Sequence, residues 1–382
     1  MPTSNNYSHN SKVYWLYSGL AALWFLVQCL LYSKHGIKVV FDSKRYLAQA
    51  DLLAAGEYSA LKISYIVYTA LLAFSNLLGS LAWIILLQIV VSGIAMVAMY
   101  KAALKITNSQ LTASLTVLLL IIWPDYQFWN LYIHTESLFV SVTCLVFWRL
   151  VTADQARHYL QLFLLLVLVL LLRPNGFMVI LAVLVYWGLG YCNRKGYPVR
   201  KAVGLLLTLT IVGMLAAAHL FLKDISSDHS FTKFLVSGEI IQGYEPLRIN
   251  IEKQIELQGT PLKQTIAIVL NEPAFFFKKS LMRLLYYWAQ IRPYYSLWHN
   301  ITIVILMYPL YLLGVKALAT KKTDIRITGF IVCLMLQFSA MVVVSAVDWD
   351  NRFFLPLLPF VFFIGAIGLR GLLPQTVIQK ML

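Results

Sequence analysis

Charge is scarce in this chain. Only 12% of its 382 residues are Asp, Glu, Lys or Arg, against 60% that are hydrophobic. A soluble domain carries about twice that share of charge on its surface, so an ordinary water-exposed globule is excluded. Cysteine is scarce as well: Cys29, Cys144, Cys192 and Cys333 fall inside or at the ends of apolar runs without paired spacing. That pattern gives neither a disulfide framework nor a metal site. Acidic residues number 16 and nowhere crowd together. Asp42, Asp125 and Glu136 would hold a divalent ion only if the fold gathered them, so no metal and no cofactor are expected. Internal repeats and low-complexity tracts are absent, as is any stretch long enough for a soluble accessory domain. The paired broken helices that mark many secondary transporters are missing too.

What the chain has is long apolar runs, and its mean hydropathy is +0.74. A span needs about 20 apolar residues to cross a hydrocarbon core of about 30 Å. Ten runs meet or approach this, at 12–31, 81–100, 111–123, 136–150, 159–172, 176–191, 202–222, 301–318, 327–347 and 353–372, which predicts an all-α, polytopic membrane protein. The first run lacks a small-residue cleavage site and reads as a retained anchor, with the mature chain starting at Met1. An eleventh apolar stretch, 63–78, is interleaved with Ser64, Tyr65, Tyr68, Thr69, Ser75 and Asn76. Left out of the span count, it puts Lys101, Lys105, Arg149, Arg157, Arg194, Lys195, Arg200, Lys201, Lys316, Lys321, Lys322 and Arg326 on one side of the membrane. The positive-inside rule makes that side the cytoplasm, with both termini there, and makes 63–78 an interfacial or re-entrant helix packed on protein. The formal charge of +15 then orients the protein against anionic lipid rather than nucleic acid, for which no motif is present.

Two outer segments are long enough to build a site, 32–80 and 223–300. In the second, Asn271-Glu272-Pro273 opens a helix with Pro in its first turn. Phe277, Leu281, Leu284, Leu285 and Trp288 form one stripe of that helix, while Lys278, Lys279, Arg283 and Gln290 fall largely elsewhere. Such a helix lies flat on a membrane, with its basic face in solvent or with Lys279 or Arg283 toward a lipid-linked phosphate. The remaining ionisable residues gather at the outer ends of spans: Asp42, Asp125, His134, Glu136, Arg173, Asp348, Asp350 and Arg352. A transport pathway would place them near the midplane; an enzyme acting at the outer boundary would collect them here.

Four local patterns on that face resemble the GT-C superfamily of integral-membrane glycosyltransferases, especially the branch with protein O-mannosyltransferases and the lipid A aminoarabinose transferase. Asp42, Tyr46, Ala50 and Gly56 are similar to its first-outer-loop pattern, and Thr135-Glu136-Ser137-Leu138-Phe139 to the segment opening the fourth span. Arg173-Pro174-Asn175-Gly176 resembles its Arg-Pro turn, and Asn351-Arg352-Phe353-Phe354-Leu355-Pro356 its last-span motif. Many relatives carry two acidic residues where this chain has Asp42-Ser43. The resemblance implies one transmembrane glycosyltransferase domain over 1–382, with 32–80 catalytic. It implies a polyprenyl-phosphate sugar donor, an acceptor that is a glycan, lipid or protein, and inversion at the anomeric carbon.

The residues fit that chemistry. A phosphate leaves without protonation, so one general base and nearby cations suffice, whereas a glycosidase needs two carboxylates at a set separation. Asp42 is the expected base; otherwise it caps a helix or pairs with Lys44 or Arg45. Arg173 and Arg352, with Lys44 and Arg45, are the candidates for the donor phosphate, since a guanidinium grips it at two points. Pairing with nearby carboxylates, Asp350 in the case of Arg352, is the alternative. Tyr46, His134 and Glu136 are candidates to orient substrate or to satisfy one another. Two other classes stay open, an O-antigen-type polymerase or ligase using His229 and neighbouring basic residues, and a lipid or glycan transporter without catalysis. The short loops point to a bacterial plasma membrane with the site facing the exterior.

Overall fold

The computed structural model describes residues 4–198, 200, 203–204, 207–208, 210–212, 236–250, 259, 261–320 and 322–373. The run expected at 202–222 lies largely outside these residues, as does His229. Regular structure among the described residues is helical, relieved by isolated β-bridges such as Lys38 with Tyr132. The chain divides into two compact units, Met1–Gly176 with Leu310–Thr323 and Leu358–Leu382, and Phe177–Pro309 with Asp324–Leu357.

The first unit begins with α1, Ser4–His35, and the short helices α2, Ser43–Ala54, and α3, Ile66–Leu77. It continues with α4, Ala82–Thr107, and α5, Gln110–Ile122. Asn108 in the left-handed conformation ends α4, and Ser109 caps α5 by accepting from the Thr112 N–H. Then come α6, Pro124–Phe128, α7, Glu136–Thr152, and α8, Ala156–Leu172. The C-terminal α14, Leu358–Arg370, packs on α5, while α4 packs chiefly on α7 and α5, α8 on α7, and α2 on α3. Aromatic edges fill the seams: Phe147 meets Phe360 with ring centroids 5.2 Å apart, and Trp123 meets Phe362 at 5.9 Å.

Six helices among the described residues are long and apolar enough to cross a membrane, or seven if a bent pair counts as one. The expectation of ten is therefore met only in part. Helices α7 and α8, at 17 residues each, reach about 26 Å at 1.5 Å per residue, short of a full hydrocarbon core. The 63–78 stretch is a 3-10 turn, Ile63–Tyr65, followed by the 12-residue α3. It buries Tyr68, Thr69, Leu72 and Ser75 and is too short to span unaided. The run at 353–372 opens as 3-10 turn, Arg352–Leu357, before α14 takes over.

The bent pair is α5 and Pro124–Leu131, whose axes differ by 66°. Pro124 has no N–H to continue α5, and its ring excludes the preceding helical carbonyl, so the chain turns there. Past the bend a buried polar knot fixes the new direction. The Gln28 amide donates to Gln127 Oε1 at 2.7 Å, and Asn130 Nδ2 donates to Gln28 Oε1 at 3.1 Å and to Ser92 Oγ at 3.3 Å. The Ser137 hydroxyl donates to Asn130 Oδ1 at 2.6 Å. Buried amides without such partners would cost several kcal/mol in an apolar setting.

The second unit holds most of α9, Gly176–Arg194, then α10, Pro261–Asn271, and α11, Pro273–Ala289. It also holds the first half of α12, Leu297–Ala319, and α13, Ile325–Val344. Helix α11 packs on α13 and α10, and its orientation reverses one alternative drawn from sequence. Phe275, Lys279, Arg283 and Tyr287, four apart, are the buried stripe, while Phe277, Leu281 and Leu285 are exposed. The basic residues of this helix are thus not a solvated face, apart from Lys278. Apolar side chains pointing away from the protein are the sense expected where lipid is the solvent. The Arg283 guanidinium donates to the Glu239 carbonyl at 3.0 and 2.8 Å and to the Val343 carbonyl at 2.8 Å. Burial, with Arg283 nearby, pulls the Lys279 ammonium down to about 7.

Candidate functional site

In the first unit, segments far apart in sequence converge around the start of α2. The chain leaving α1 turns at Gly36, and Lys38 then forms a short two-way link: its N–H donates to the Leu131 carbonyl and its carbonyl accepts from the Ile133 N–H, each at 2.9 Å. This ties the loop before α2 to the loop before α7. A tight turn follows, in which the Ser43 N–H donates to the Val40 carbonyl and the Val40 N–H donates to Ser43 Oγ. Phe41 in that turn has φ +44°, a conformation non-glycine residues adopt at a cost.

That turn places Asp42 at the position preceding α2. Its side chain makes no capping hydrogen bond to the helix, so the capping alternative is not realised. It stands 3.6 Å from the Arg45 guanidinium, with 33% of the carboxylate side chain and 42% of the arginine exposed. Lys44 is exposed. Arg45 in turn lies over two rings, 5.1 Å from the Tyr46 centroid and 5.2 Å from that of Tyr65. In the sequence Tyr65 is only a polar break in the apolar stretch 63–78, and the fold of 58–66 brings it beneath Arg45.

Tyr46 is 3% exposed and sits edge-on to Tyr68 and His134. Burial, with Tyr65 and Glu136 close by, pushes its phenol well above the usual tyrosine range, so it remains a neutral O–H. His134 lies behind it, fully buried, with Nε2 3.0 Å from the Val40 carbonyl and Nδ1 3.5 Å from Glu136 Oε2. The other Glu136 oxygen meets Arg173 Nη1 at 2.7 Å, the two side chains being 1% and 9% exposed. Arg173 also lies over the Phe139 ring at 5.8 Å. Gly176 is required for this corner: a Cβ there would stand 2.4 Å from the Val169 carbonyl oxygen. An exposed carboxylate–guanidinium pair therefore sits above a buried Tyr-His-Glu-Arg series, and a group able to accept a proton from a bound molecule is Asp42.

Arg352 belongs to the second unit, and a carboxylate not expected from the sequence, Asp348, stands beside it. Asp348 Oδ2 lies 3.0 Å from Arg352 Nη2, and Asp350 accepts from the Tyr295 hydroxyl at 2.8 Å. The turn at 348–351, with Asn351 at φ +54°, brings Asp348 and Arg352, four apart, together. Arg292, not singled out from sequence, is fully buried beside this turn and donates to the Asp348 carbonyl at 3.3 Å. No group of three or more His, Cys, Asp or Glu suited to a metal occurs among the described residues. Set against family models, characterised proteins and solved structures, the chain matches none of them.

Proposed function

We propose that the chain is a GT-C-type glycosyltransferase that takes a sugar from a polyprenyl-phosphate donor at the outer face of the membrane. Asp42 is its general base. The acceptor hydroxyl or amine attacks the anomeric carbon as its proton passes to the Asp42 carboxylate. The bond from that carbon to the phosphate oxygen breaks, and polyprenyl phosphate leaves with the electron pair. Arg45 neutralises the charge growing on the phosphate, and Tyr46, His134, Glu136 and Arg173 hold the base and its arginine in register.

The observation that supports this reading most is the placement of Asp42, a part-exposed carboxylate 3.6 Å from a guanidinium braced on two aromatic rings. A base must be reachable, and a cation beside it must not wander; both conditions are met here. The test is a transfer assay with purified protein in detergent or nanodiscs, offered polyprenyl-phosphate sugars, read by mass spectrometry of the freed carrier. Release of carrier dependent on acceptor and on Asp42 is expected. Failure to turn over any donor, in protein that melts cooperatively, sinks the reading.

A further inference from the structure

Helix α1 packs lightly, with 6% of its apolar window buried. Between it, α4 and α5 runs an apolar groove of about 520 Å³, lined by Leu20, Trp24, Gly93, Val97, Tyr100 and Lys101. Gly93 is what admits the Trp24 ring, whose nearest atom would lie 2.9 Å from a Cβ at that position. The volume falls within the roughly 300–1,000 Å³ of ligand-binding cavities.

The groove is apolar except at the Lys101 end. There Lys101 Nζ lies 5.6 Å from the Trp148 ring centroid, and the Arg149 guanidinium lies over the same ring at 4.1 Å. Arg149 Nε is buried and makes no hydrogen bond in the structure. Asp154, which stands 2.7 Å from His158, and the cationic Arg157 are the nearby charges that act on Arg149. Two cations on one indole repel each other, and a buried N–H without an acceptor costs free energy. A phosphate oxygen relieves both at once, and an apolar trough leads away from it.

We propose that this groove binds an anionic phospholipid, one acyl chain lying along Leu20, Trp24 and Val97 and the headgroup phosphate accepting hydrogen bonds from Lys101 and Arg149. Arg149 can engage two phosphate oxygens, and basic pockets between membrane helices take anionic headgroups in this way. The site is independent of the sugar-transfer reading, since it uses none of the residues around Asp42.

Native mass spectrometry of the delipidated full chain, titrated with phosphatidylglycerol or phosphatidylcholine of matched acyl chains, tests it. Phosphatidylglycerol should bind roughly tenfold tighter, a preference that two cations near a membrane surface readily supply. The double variant Lys101→Gln/Arg149→Gln should lose that preference, and Val97→Trp, which fills the trough but keeps both cations, should weaken both lipids. Equal binding of the two lipids by the unaltered chain overturns the proposal, as does a double variant that keeps its preference. Should the double variant fail to fold, Val97→Trp decides: unchanged phosphatidylglycerol affinity overturns the proposal and a clear loss supports it.

Discussion

Glu136 and Arg173 meet at 2.7 Å inside the protein, joining the first turn of α7 to the residue that ends α8. Removing either one strands the other charge away from water, and that penalty is usually about 3–5 kcal/mol. Glu136→Gln and Arg173→Met should each lower unfolding midpoints sharply. The double variant should lose less than the sum of the two, because it strands nothing. Denaturant or thermal melts in one detergent give the cycle; additive losses would mean the pair is not coupled.

Asp42→Asn should fold normally and fail at transfer. The amide keeps size and most hydrogen bonding yet cannot take a proton, so turnover should fall by about 10²-fold or more while donor binding largely survives. Kinetics with a polyprenyl-phosphate sugar, run beside a melt, check this. Turnover within a few-fold of the unaltered chain would take the base away from Asp42.

Gly176→Ala should be among the most damaging small substitutions in the chain. The new methyl would lie 2.4 Å from a backbone oxygen and 2.6 Å from the Leu170 Cα, and backbone cannot swing aside as a side-chain tip can. A loss of about 2–3 kcal/mol is expected, read as a lowered melting midpoint. Gly196→Ala, whose Cβ meets nothing within 4 Å, is the comparison. At φ +70° it should pay only for its conformation, and so lose less.

Stability should depend on pH through Lys279. Its folded pKa is lowered, by burial and by Arg283, from 10.5 to about 7. Between those values the unfolded chain binds more protons than the folded one, so stability rises with pH across about 7 to 10 and flattens below 7. The slope should be on the order of 1 kcal/mol per pH unit, and Lys279→Met should remove it. Melting midpoints from pH 6.5 to 9.5 in both proteins decide the matter; parallel curves would assign the slope to other groups.

The long spans were legible because nothing competes with them: 81–100 became Ala82–Thr107, lengthened at its C-terminal end, and 327–347 became Ile325–Val344, starting and ending slightly earlier. Helix α11 was legible in its stripe but not in its sense. The same periodicity fits a helix with its basic face in solvent and one with that face buried, and only the packing against α13 separates them. Around the site, the sequence order of Asp42, Tyr46, His134, Glu136 and Arg173 raised each residue singly. It did not reveal that Glu136 holds Arg173, or that Asp348 stands beside Arg352, because those pairings depend on turns whose geometry no periodicity encodes. Arg292 carried no pattern at all, and Tyr65 stood out only as one of the polar breaks in 63–78.

The bend at Pro124 bears on how the protein is made. Asn130 and Gln127 cannot rest in lipid alone, and two of the groups that satisfy their amides, Gln28 and Ser92, belong to α1 and α4. Both helices leave the ribosome before the bent segment does. Synthesis from the N-terminus therefore delivers Gln28 and Ser92 ahead of Gln127 and Asn130, and the segment can settle on them as it emerges, the Ser137 hydroxyl following to donate to Asn130 Oδ1.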